Sequence, residues 1–305
     1  MIDRRLKVRH LQAFVEIARQ KSLKRAAEIL NLTQPAISKT LKELEEITGV
    51  TLLERNRGGV AMTIEGDVFL RYANSSLTAI DQAMTSVSAI SKGERGRVAV
   101  GALPSVAARM LPRAVQLFSR LAPNAIPLIE DGPHGFLVDR LRAGQLDLVI
   151  GRLGKPATMK GLSFSQLYAE DVVIVCAPGH PLAGASALPR LSEYPVIYPP
   201  RDAAIRPLVD RMMIANGVGD FPQRIESVSA TFGRGLTLVG DALWIISTGV
   251  VADDIAAGRL IALPIKTELT AGPIGIMARA EDGLSPLAQM FRQAAIRAVG
   301  DLALS

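Results

Sequence analysis

Polar side chains on one face of a predicted helix near the N-terminus are the strongest candidates for chemistry in this chain. The apolar residues of that helix, Ile37, Leu41 and Leu44, recur at the spacing of a single buried face. The opposite face then carries amide, hydroxyl and ammonium donors, at Gln34, Ser38, Lys39 and Lys42. Donors of these types pair with base edges in the major groove and with backbone phosphates. The pattern therefore predicts recognition of DNA.

The elements that would position these donors form a helix-turn-helix. Ser22 is placed to cap one helix and Thr33 to cap the next, with only Asn31 and Leu32 between the two helices. The second helix of such a motif enters the major groove by its N-terminal end. An ordinary helical bundle with a solvated charged face is the alternative. A preceding helix supplies the rest of the apolar face, at Leu11, Phe14, Val15 and Ala18.

A basic wing follows the helix-turn-helix within residues 1–66. Arg55 and Arg57 are predicted to contact backbone phosphates there. The complete predicted DNA-binding set is Ser22, Thr33, Gln34, Pro35, Ser38, Lys39, Lys42, Arg55, Arg57 and Thr63.

Composition agrees with a DNA-binding head joined to further domains. The chain has 305 residues, 49% of them apolar, which predicts two or three domains. It carries 35 Lys and Arg against 29 Asp and Glu, and residues 1–66 hold 12 and 8 of these, so this part supplies four of the six net positive charges. A small basic module suits a polyanion. With no signal-like opening and no apolar run of about 18 residues, we expect a cytoplasmic protein without membrane contact.

Cysteine and histidine usage argues against redox or metal chemistry. The single Cys176 lies in the apolar run DVVIVCAPG, so we expect a buried strand residue rather than a thiol switch. One Cys and three scattered His residues do not assemble a metal site. We therefore expect neither a metal nor a cofactor.

A long segment without proline joins the head to the rest of the chain, and residues 67–92 are predicted to form a linker helix. Its apolar and small residues alternate at spacings of four and three, which is the seam of a coiled coil. Such a helix predicts a homodimer, whose twofold axis would let two heads read an inverted repeat. An amphipathic helix lying on its own domain is the alternative. The seam consists of Phe69, Ala73, Ser76, Ile80, Ala83, Val87 and Ile90.

Residues 97–305 alternate apolar runs with helical stretches, which indicates an α/β fold. Lobe I is predicted at about 97–165 and 270–305, and lobe II at about 166–269, with a cleft between them. The chain would cross near 164–168 and near 265–271. Strands are predicted at 97–102, 126–130, 146–150, 172–177, 196–198, 224–227, 243–247 and 273–278.

Ligands of open α/β sheets bind beyond the carboxyl ends of strands, where helix N-termini favour anions. Arginine matches a carboxylate with two parallel hydrogen bonds, so several arginines here predict a small organic acid with more than one carboxylate. The arginines could instead pair with nearby acids, His134 could be a turn residue, and Phe232 could belong to the core. The predicted effector-binding set is Pro104, Ser105, Gly132, His134, Arg152, Arg201, Arg206, Ser229, Thr231, Phe232 and Thr248.

The N-terminal motifs resemble those of LysR-type transcriptional regulators. Residues 6–66 carry the resemblance in LQAFVEIARQKSLKRAAEILNLTQPAISKTLKELEEITGVTLLER and in MTIEG, departing from the usual pattern at Lys42 and Leu53. Residues 97–305, with GHPLA at 179–183, resemble the family's effector domain, which is similar to two-lobed periplasmic binding proteins of type 2. The resemblance implies an all-α winged helix-turn-helix head, a linker helix and an α/β effector domain. It also implies a pocket lined by Ser105.

The resemblance implies function as well as fold. Such a regulator binds promoter DNA as a homodimer or homotetramer, with RNA polymerase as a further candidate partner. The phrases RVAVGALPSVAARMLP, DLVIGRL and YPPRDAAIRPLV are similar to a subgroup that activates genes for protocatechuate breakdown. That subgroup implies a carboxymuconate-like tricarboxylate as effector. Regulators linked to galactose-binding proteins share the opening segment, so sensing of a sugar or sugar acid is the alternative.

Two other classes of protein fit the sequence poorly. A periplasmic solute receptor would need a signal peptide and would leave the head unexplained. An enzyme would need a catalytic motif, but GRG at 233–235 is not the G-x-G-x-x-G dinucleotide turn, and no G-x-S-x-G elbow is present. We therefore expect a regulator without catalytic activity.

Overall fold

The computed structural model describes residues 3–56, 59–91, 96–184, 188–280 and 283–302. Side chains of residues 55, 56, 82 and 85–91 lie outside this description. The chain forms two compact units, residues 1–94 with 142–145, and residues 95–141 with 146–305.

The first unit begins with three helices whose starts are set by capping side chains. The hydroxyl of Ser22 accepts a hydrogen bond from the Arg25 amide, and that of Thr33 accepts one from the Ala36 amide, which confirms both predicted caps. Gly49 ends the third helix with a φ of 73°, a left-handed conformation that glycine adopts without strain. The helices are α1 (Val8–Gln20), α2 (Leu23–Ile29) and α3 (Gln34–Thr48).

The core of this unit confirms most of the predicted apolar faces. Ile37, Leu41 and Leu44 of α3 are buried, as predicted. The predicted face of α1 was partly wrong, because Ala13 and Ile17 are buried beside Leu11 and Phe14, whereas Val15 and Ala18 are only half-buried. The buried stripe of α1 therefore lies on a slightly different side of the helix.

A two-stranded wing and a long helix complete the first unit. Strands β1 (Leu53–Asn56) and β2 (Gly59–Met62) pair antiparallel, and α4 spans Ile64–Ser91. The Thr63 hydroxyl accepts a hydrogen bond from the Gly66 amide at 2.9 Å and so caps α4.

The first turns of α4 pack on the head of their own chain. The rings of Phe69 and Phe14 meet edge to face with 5.3 Å between centroids, and Ala73 is buried in the same core. Ala73 is therefore enclosed by its own chain, as in the alternative of a helix lying on its own domain, and Phe69 is half-buried there. Ile80 is 42% exposed and stays available for a partner. Val87 and Ile90 have side chains outside the described part.

Lobe I of the second unit is a mixed sheet covered by helices. Its strand order is β4-β3-β5-β12-β6, with β12 antiparallel to both of its neighbours. Helices α6 and α11 pack together, with 5.2 Å between the ring centroids of Phe118 and Phe291. The elements of lobe I are β3 (Arg97–Ala102), α5 (Pro104–Arg109), α6 (Leu111–Leu121), β4 (Ile126–Asp131), α7 (His134–Arg142), β5 (Leu148–Arg152), β6 (Leu162–Glu170), β12 (Gly272–Arg279) and α11 (Pro286–Gly300).

Lobe II is a second mixed sheet, of order β11-β7-β10-β8-β9, whose core surrounds the fully buried Trp244. Cys176 is completely buried on β7, as predicted, and burial raises its pKa to about 11. The elements of lobe II are β7 (Val172–Cys176), β8 (Val196–Tyr198), α8 (Arg206–Ala215), β9 (Arg224–Glu226), α9 (Ala230–Val239), β10 (Leu243–Ser247), α10 (Thr248–Ala256) and β11 (Ile261–Ala262).

The chain crosses between the lobes at Asp171 and at Ala271. The predicted first boundary was at about 165/166, whereas β6 continues to Glu170 through its pairing with β12. All eight predicted strands are present, but β6 and the two-residue β11 were missed.

In the described part of the chain, every helix is too short or too polar to cross a membrane. The same residues contain no cluster of three or more His, Cys, Asp or Glu side chains that could hold a metal ion.

Candidate functional site

The outer face of α3 presents the predicted DNA-binding donors. Gln34, Lys39 and Lys42 are exposed, and Ser38 is half-buried. Lys42 forms a long, exposed ion pair of 3.9 Å with Glu46 one turn away, a pair too weak to hold its ammonium group. The side chains with which the sequence predicts DNA contact therefore remain accessible along this face.

Three of the predicted DNA-binding hydroxyls are used to cap helices. Ser22, Thr33 and Thr63 each accept an amide hydrogen bond at the start of α2, α3 or α4. Pro35 occupies the first turn of α3, where its missing amide hydrogen costs nothing. These residues fix the direction in which α3 and the wing point. Arg57 and the side chain of Arg55 lie outside the described part.

A buried histidine that sequence reasoning missed ties α1 to α3. His10 is only 2% exposed, its Nδ1 accepts from the Lys7 amide at 3.1 Å, and its Nε2 lies 3.3 Å from Glu43 Oε2. Arg9 donates to the same carboxylate oxygen at 3.1 Å. Hydrogen bonds from His10 and then Arg9 lower the pKa of Glu43. In the sequence, only the position of His10 on the buried face of α1 could have indicated that it joins α1 to α3.

In the second unit, Arg152 is a buried strand residue and not the loop residue that was predicted. Strand β5 begins and ends two residues later than expected, so Arg152 is its last residue and pairs with Ile274 of β12. The side chain is 3% exposed. Its Nη2 donates to the Glu170 carbonyl at 2.8 Å, and its Nη1 donates to the Thr270 carbonyl at 3.3 Å. Arg152 thus binds both chain segments that cross between the lobes.

Glu170, the last residue of β6, was missed as a functional candidate. It is 5% exposed, and its Oε2 lies 3.7 Å from Arg152 Nη2. Its Oε1 accepts a hydrogen bond from the Gly249 amide at 3.1 Å, and the Ser105 hydroxyl bonds to the same carboxylate. Burial raises the pKa of Glu170, while Ser105, Arg152 and Gly249 oppose that increase. Alternating residues in β6 gave no sign that its end would be buried.

Threonines complete the junction of the lobes. The Thr248 hydroxyl, one of the predicted effector contacts, donates to the Asp171 carbonyl at 2.9 Å. Thr270 accepts from the Val172 amide at 2.9 Å and donates to the Thr267 carbonyl at 2.6 Å. Ser105 and Thr248 therefore make contacts at the crossing of the lobes and are partly engaged within the protein.

Arg206 is held by acids of its own lobe, as the alternative interpretation expected. Its Nε donates to Asp210 Oδ1 at 2.7 Å, and its Nη1 donates to the Pro199 carbonyl at 3.0 Å and to Glu226 Oε1 at 3.3 Å. The guanidinium also lies over the ring of Tyr198, 4.9 Å from its centroid. The side chain positions the turn that precedes α8 and presents little free surface to a ligand.

Arg201 differs from Arg206 in being accessible. It is exposed, and none of the described residues forms a hydrogen bond or ion pair with its guanidinium. Three residues further along the same turn, Ala204 packs against the lobe I core that includes Leu103 and Met277. The turn that carries Arg201 therefore reaches lobe I at Ala204.

The remaining predicted effector residues divide between lobe surfaces and the interior. Ser229 caps α9, and Ser229, Thr231 and Phe232 are exposed, so Phe232 is not a core residue. Pro104 and Gly132 are half-buried. His134 is buried at the start of α7, with its Nε2 3.4 Å from the Thr158 hydroxyl.

Both parts of the chain match families of known proteins. Residues 8–67 match the model of the bacterial regulatory helix-turn-helix protein, lysR family, and residues 91–300 match that of the LysR substrate binding domain. The chain belongs to the LysR family of transcriptional regulators, proteins that act on transcription and are not enzymes.

Individual relatives cover nearly the whole chain. It is 47% identical over 304 residues to the HTH-type transcriptional regulator PcaQ of Agrobacterium fabrum, covering 99% of this chain and 98% of that protein. It is 36% identical to the uncharacterized HTH-type transcriptional regulator YdcI of Escherichia coli, over 95% of each. The crystal structure of full-length CbnR with its target DNA has a TM-score of 0.64 at 22% identity, over 96% of this chain and 100% of that one, and supports the fold.

The different surroundings of Arg206 and Arg201 lead to different expected stabilities of their alanine variants. Arg206→Ala removes hydrogen bonds to charged groups and should destabilise lobe II by about 1–3 kcal/mol. Arg201→Ala removes an exposed side chain without a partner and should change stability by less than about 0.5 kcal/mol. Urea unfolding of both variants checks this. Equal losses of stability would contradict the assignment of Arg206 as a positioning residue.

Proposed function

We propose that this regulator binds an inverted repeat in promoter DNA as a homodimer or a dimer of dimers, and responds to a small organic acid bound between the lobes of its effector domain. DNA binding is supported by the accessible hydrogen-bond donors on the outer face of α3, the second helix of a helix-turn-helix whose helices are both capped. Such a protein would act in the cytoplasm, with RNA polymerase as a further partner.

Base readout is assigned to the N-terminal half of α3. Gln34 has an amide that pairs with adenine in two hydrogen bonds, and Ser38 is placed one turn further along. Lys39 and Lys42 supply positive charge for phosphates, as Arg55 and Arg57 would from the wing. Ser22, Thr33, Pro35 and Thr63 support these contacts by fixing the ends of the helices.

Replacing Gln34 tests this assignment. Gln34→Ala should cost about 1–3 kcal/mol of operator affinity and relax base preference at one position of each half-site. Lys39→Ala should weaken specific and random DNA alike, because it removes a phosphate contact. Gln12→Ala is the matched control, since Gln12 is an exposed glutamine of α1 in the same unit. Fluorescence anisotropy on operator and random duplexes measures all three. Equal losses on both duplexes for Gln34→Ala would contradict base readout.

The proposed dimer seam runs along the part of α4 beyond its contact with the head. Ile80 and Ala83 are exposed there and occupy adjacent seam positions, and Met84 beside them is 69% exposed. Apolar side chains at such spacing are buried when two helices pair. This part of α4 is therefore the surface that we assign to the second copy.

Charges placed in this seam should separate the subunits. Asp at both Ile80 and Ala83 would bury like charges in the dimer, so dimerisation and operator binding should fall together. Ile64→Asp is the control, because Ile64 is 82% exposed on the same helix and lies outside the seam. Analytical ultracentrifugation gives the oligomeric state. An intact dimer of the double variant would refute the seam.

The effector is proposed to be an acid with more than one carboxylate. The supporting observation is the unpaired, exposed guanidinium of Arg201, on a turn that reaches lobe I. Ser229, Thr231 and Phe232 are exposed at the start of α9, where the positive end of the helix dipole favours an anion. The motifs RVAVGALPSVAARMLP, DLVIGRL and YPPRDAAIRPLV resemble the protocatechuate subgroup, which implies a carboxymuconate-like tricarboxylate rather than a sugar acid.

Ligand-induced stabilisation of the full chain tests the chemical class. A carboxymuconate at about 100 times its Kd should stabilise the protein by about 2.7 kcal/mol, whereas protocatechuate and galactonate at the same concentration should not. Arg201→Ala should weaken this stabilisation. Arg190→Ala should leave it unchanged, because Arg190 is an exposed lobe II arginine paired with Glu193 at 3.1 Å. Stabilisation by the sugar acid alone would favour the alternative effector class.

A further inference from the structure

The carboxylate of Glu170 lies in a site built from donors of both lobes. Ser105 at the start of α5 and Arg152 at the end of β5 belong to lobe I, and Gly249 in the first turn of α10 belongs to lobe II. The Gly249 amide donates to Oε1 at 3.1 Å, and Arg152 Nη2 lies 3.7 Å from Oε2. A hydroxyl, a helix amide and a guanidinium are the donor types that proteins use to bind carboxylates. Glu170 is thus bound as a carboxylate ligand would be.

Close packing around Gly249 shows that this arrangement constrains the sequence. A Cβ atom at position 249 would collide with the Glu170 carboxylate and would lie 2.9 Å from the backbone oxygen of Ser105. Only glycine therefore lets the first turn of α10 approach both residues. Helices α5 and α10 meet at this point, so the carboxylate of Glu170 sits directly where lobe I touches lobe II.

The donor capacity of the site exceeds what Glu170 uses. Among the described residues, no group forms a hydrogen bond with Arg152 Nε or with the Tyr168 hydroxyl, and both of these donors are buried. Arg152 is 97% buried, so its unpaired Nε points into protein and not into solvent. Unpaired buried donors beside a carboxylate favour anion binding at this position.

We propose that Glu170 acts as an internal carboxylate ligand that holds lobe II against lobe I, and that an external carboxylate can take its place on Ser105, Gly249 and Arg152. The role of Glu170 as an internal ligand does not depend on the identity of the effector. The extension that an acidic effector displaces Glu170, and so changes the arrangement of the lobes, rests on the proposed function.

Removing the internal carboxylate should create a site for a small acid. Glu170→Ala in the full chain should lower the melting temperature, and sodium acetate should restore part of the loss in a saturable manner. Sodium chloride at the same ionic strength should not, because chloride cannot bridge the three donors as a carboxylate does. Glu193→Ala is the matched control, since Glu193 is an exposed lobe II glutamate paired with Arg190 at 3.1 Å. Acetate should not stabilise that variant or the wild-type protein specifically.

A milder variant covers the case in which Glu170→Ala does not fold. Glu170→Gln keeps the shape of the side chain but removes its charge, and a charge-assisted hydrogen bond is about twice as strong as a neutral one. Amide exchange in the first turn of α10 should therefore become severalfold faster in Glu170→Gln, while exchange in α11 of lobe I should stay unchanged.

These outcomes test the role of Glu170 as an internal ligand separately from the proposed acidic effector. Acetate rescue of Glu170→Ala, or faster exchange confined to α10 in Glu170→Gln, supports the internal ligand even if no effector is found. A folded Glu170→Ala variant that acetate stabilises no more than it stabilises Glu193→Ala would overturn the proposal. If Glu170→Ala does not fold, unchanged exchange at α10 in Glu170→Gln would overturn it.

Discussion

A buried arginine beside a buried glutamate occupies the place where the chain crosses between the lobes. Burying either charge alone is expensive, and desolvation lowers the pKa of Arg152 and raises that of Glu170. The cost is offset because each group has further partners. Arg152 donates to the backbone of Glu170 and Thr270, one residue from each crossing segment. Removing one member of such a pair typically costs about 3–5 kcal/mol, because the other charge is left buried.

Neighbouring residues leave space for the Arg152–Glu170 pair and join the segments around it. A Cβ atom at Gly272 would collide with the Arg152 guanidinium, so a larger residue at that position would displace this side chain from its partners. Thr270 joins the two segments through the Val172 amide, and Thr248 joins α10 to the first segment through the Asp171 carbonyl. The exposed Arg201 is carried by a turn that Arg206 holds from within lobe II, through the Pro199 carbonyl. The second unit thus has a hydrogen-bonded junction between its lobes and an exposed cation on a turn that Arg206 holds in place.

Local patterns predicted the head well, because its signals are short-range. Ser22 and Thr33 cap the helices that follow them, and Ile37, Leu41 and Leu44 face the core, since capping and helical periodicity depend only on neighbouring residues. The eight predicted strands were found for a similar reason. Errors arose where distant segments decide the outcome. Strand β6 exists because it pairs with β12, more than a hundred positions away, and Phe69 is half-buried against Phe14 of the same chain.

The surroundings of the candidate effector residues were predicted less completely, for the same physical reason. Sequence position placed Arg152, Arg201 and Arg206 together as three equivalent ligands for an acid. The structure gives them three different environments: a buried junction, an exposed turn and an ion-pair cluster. Nothing in the alternating sequence of β6 indicated that Glu170 would meet Arg152, because that contact depends on where both strands end. How deeply each of these side chains is buried, and which residues it contacts, depends on segments that are distant in the sequence.

The measurement that tests the central claim most directly is the coupling energy between Arg152 and Glu170 in a double-mutant cycle. Urea unfolding of Arg152→Met, Glu170→Gln and the double variant supplies the three free-energy changes. If the junction depends on this pair, the double variant should be more stable than the sum of the single losses predicts, with a coupling of at least about 1 kcal/mol. Additive losses, within about 0.5 kcal/mol, would show that the two residues stabilise the junction independently and would contradict the account.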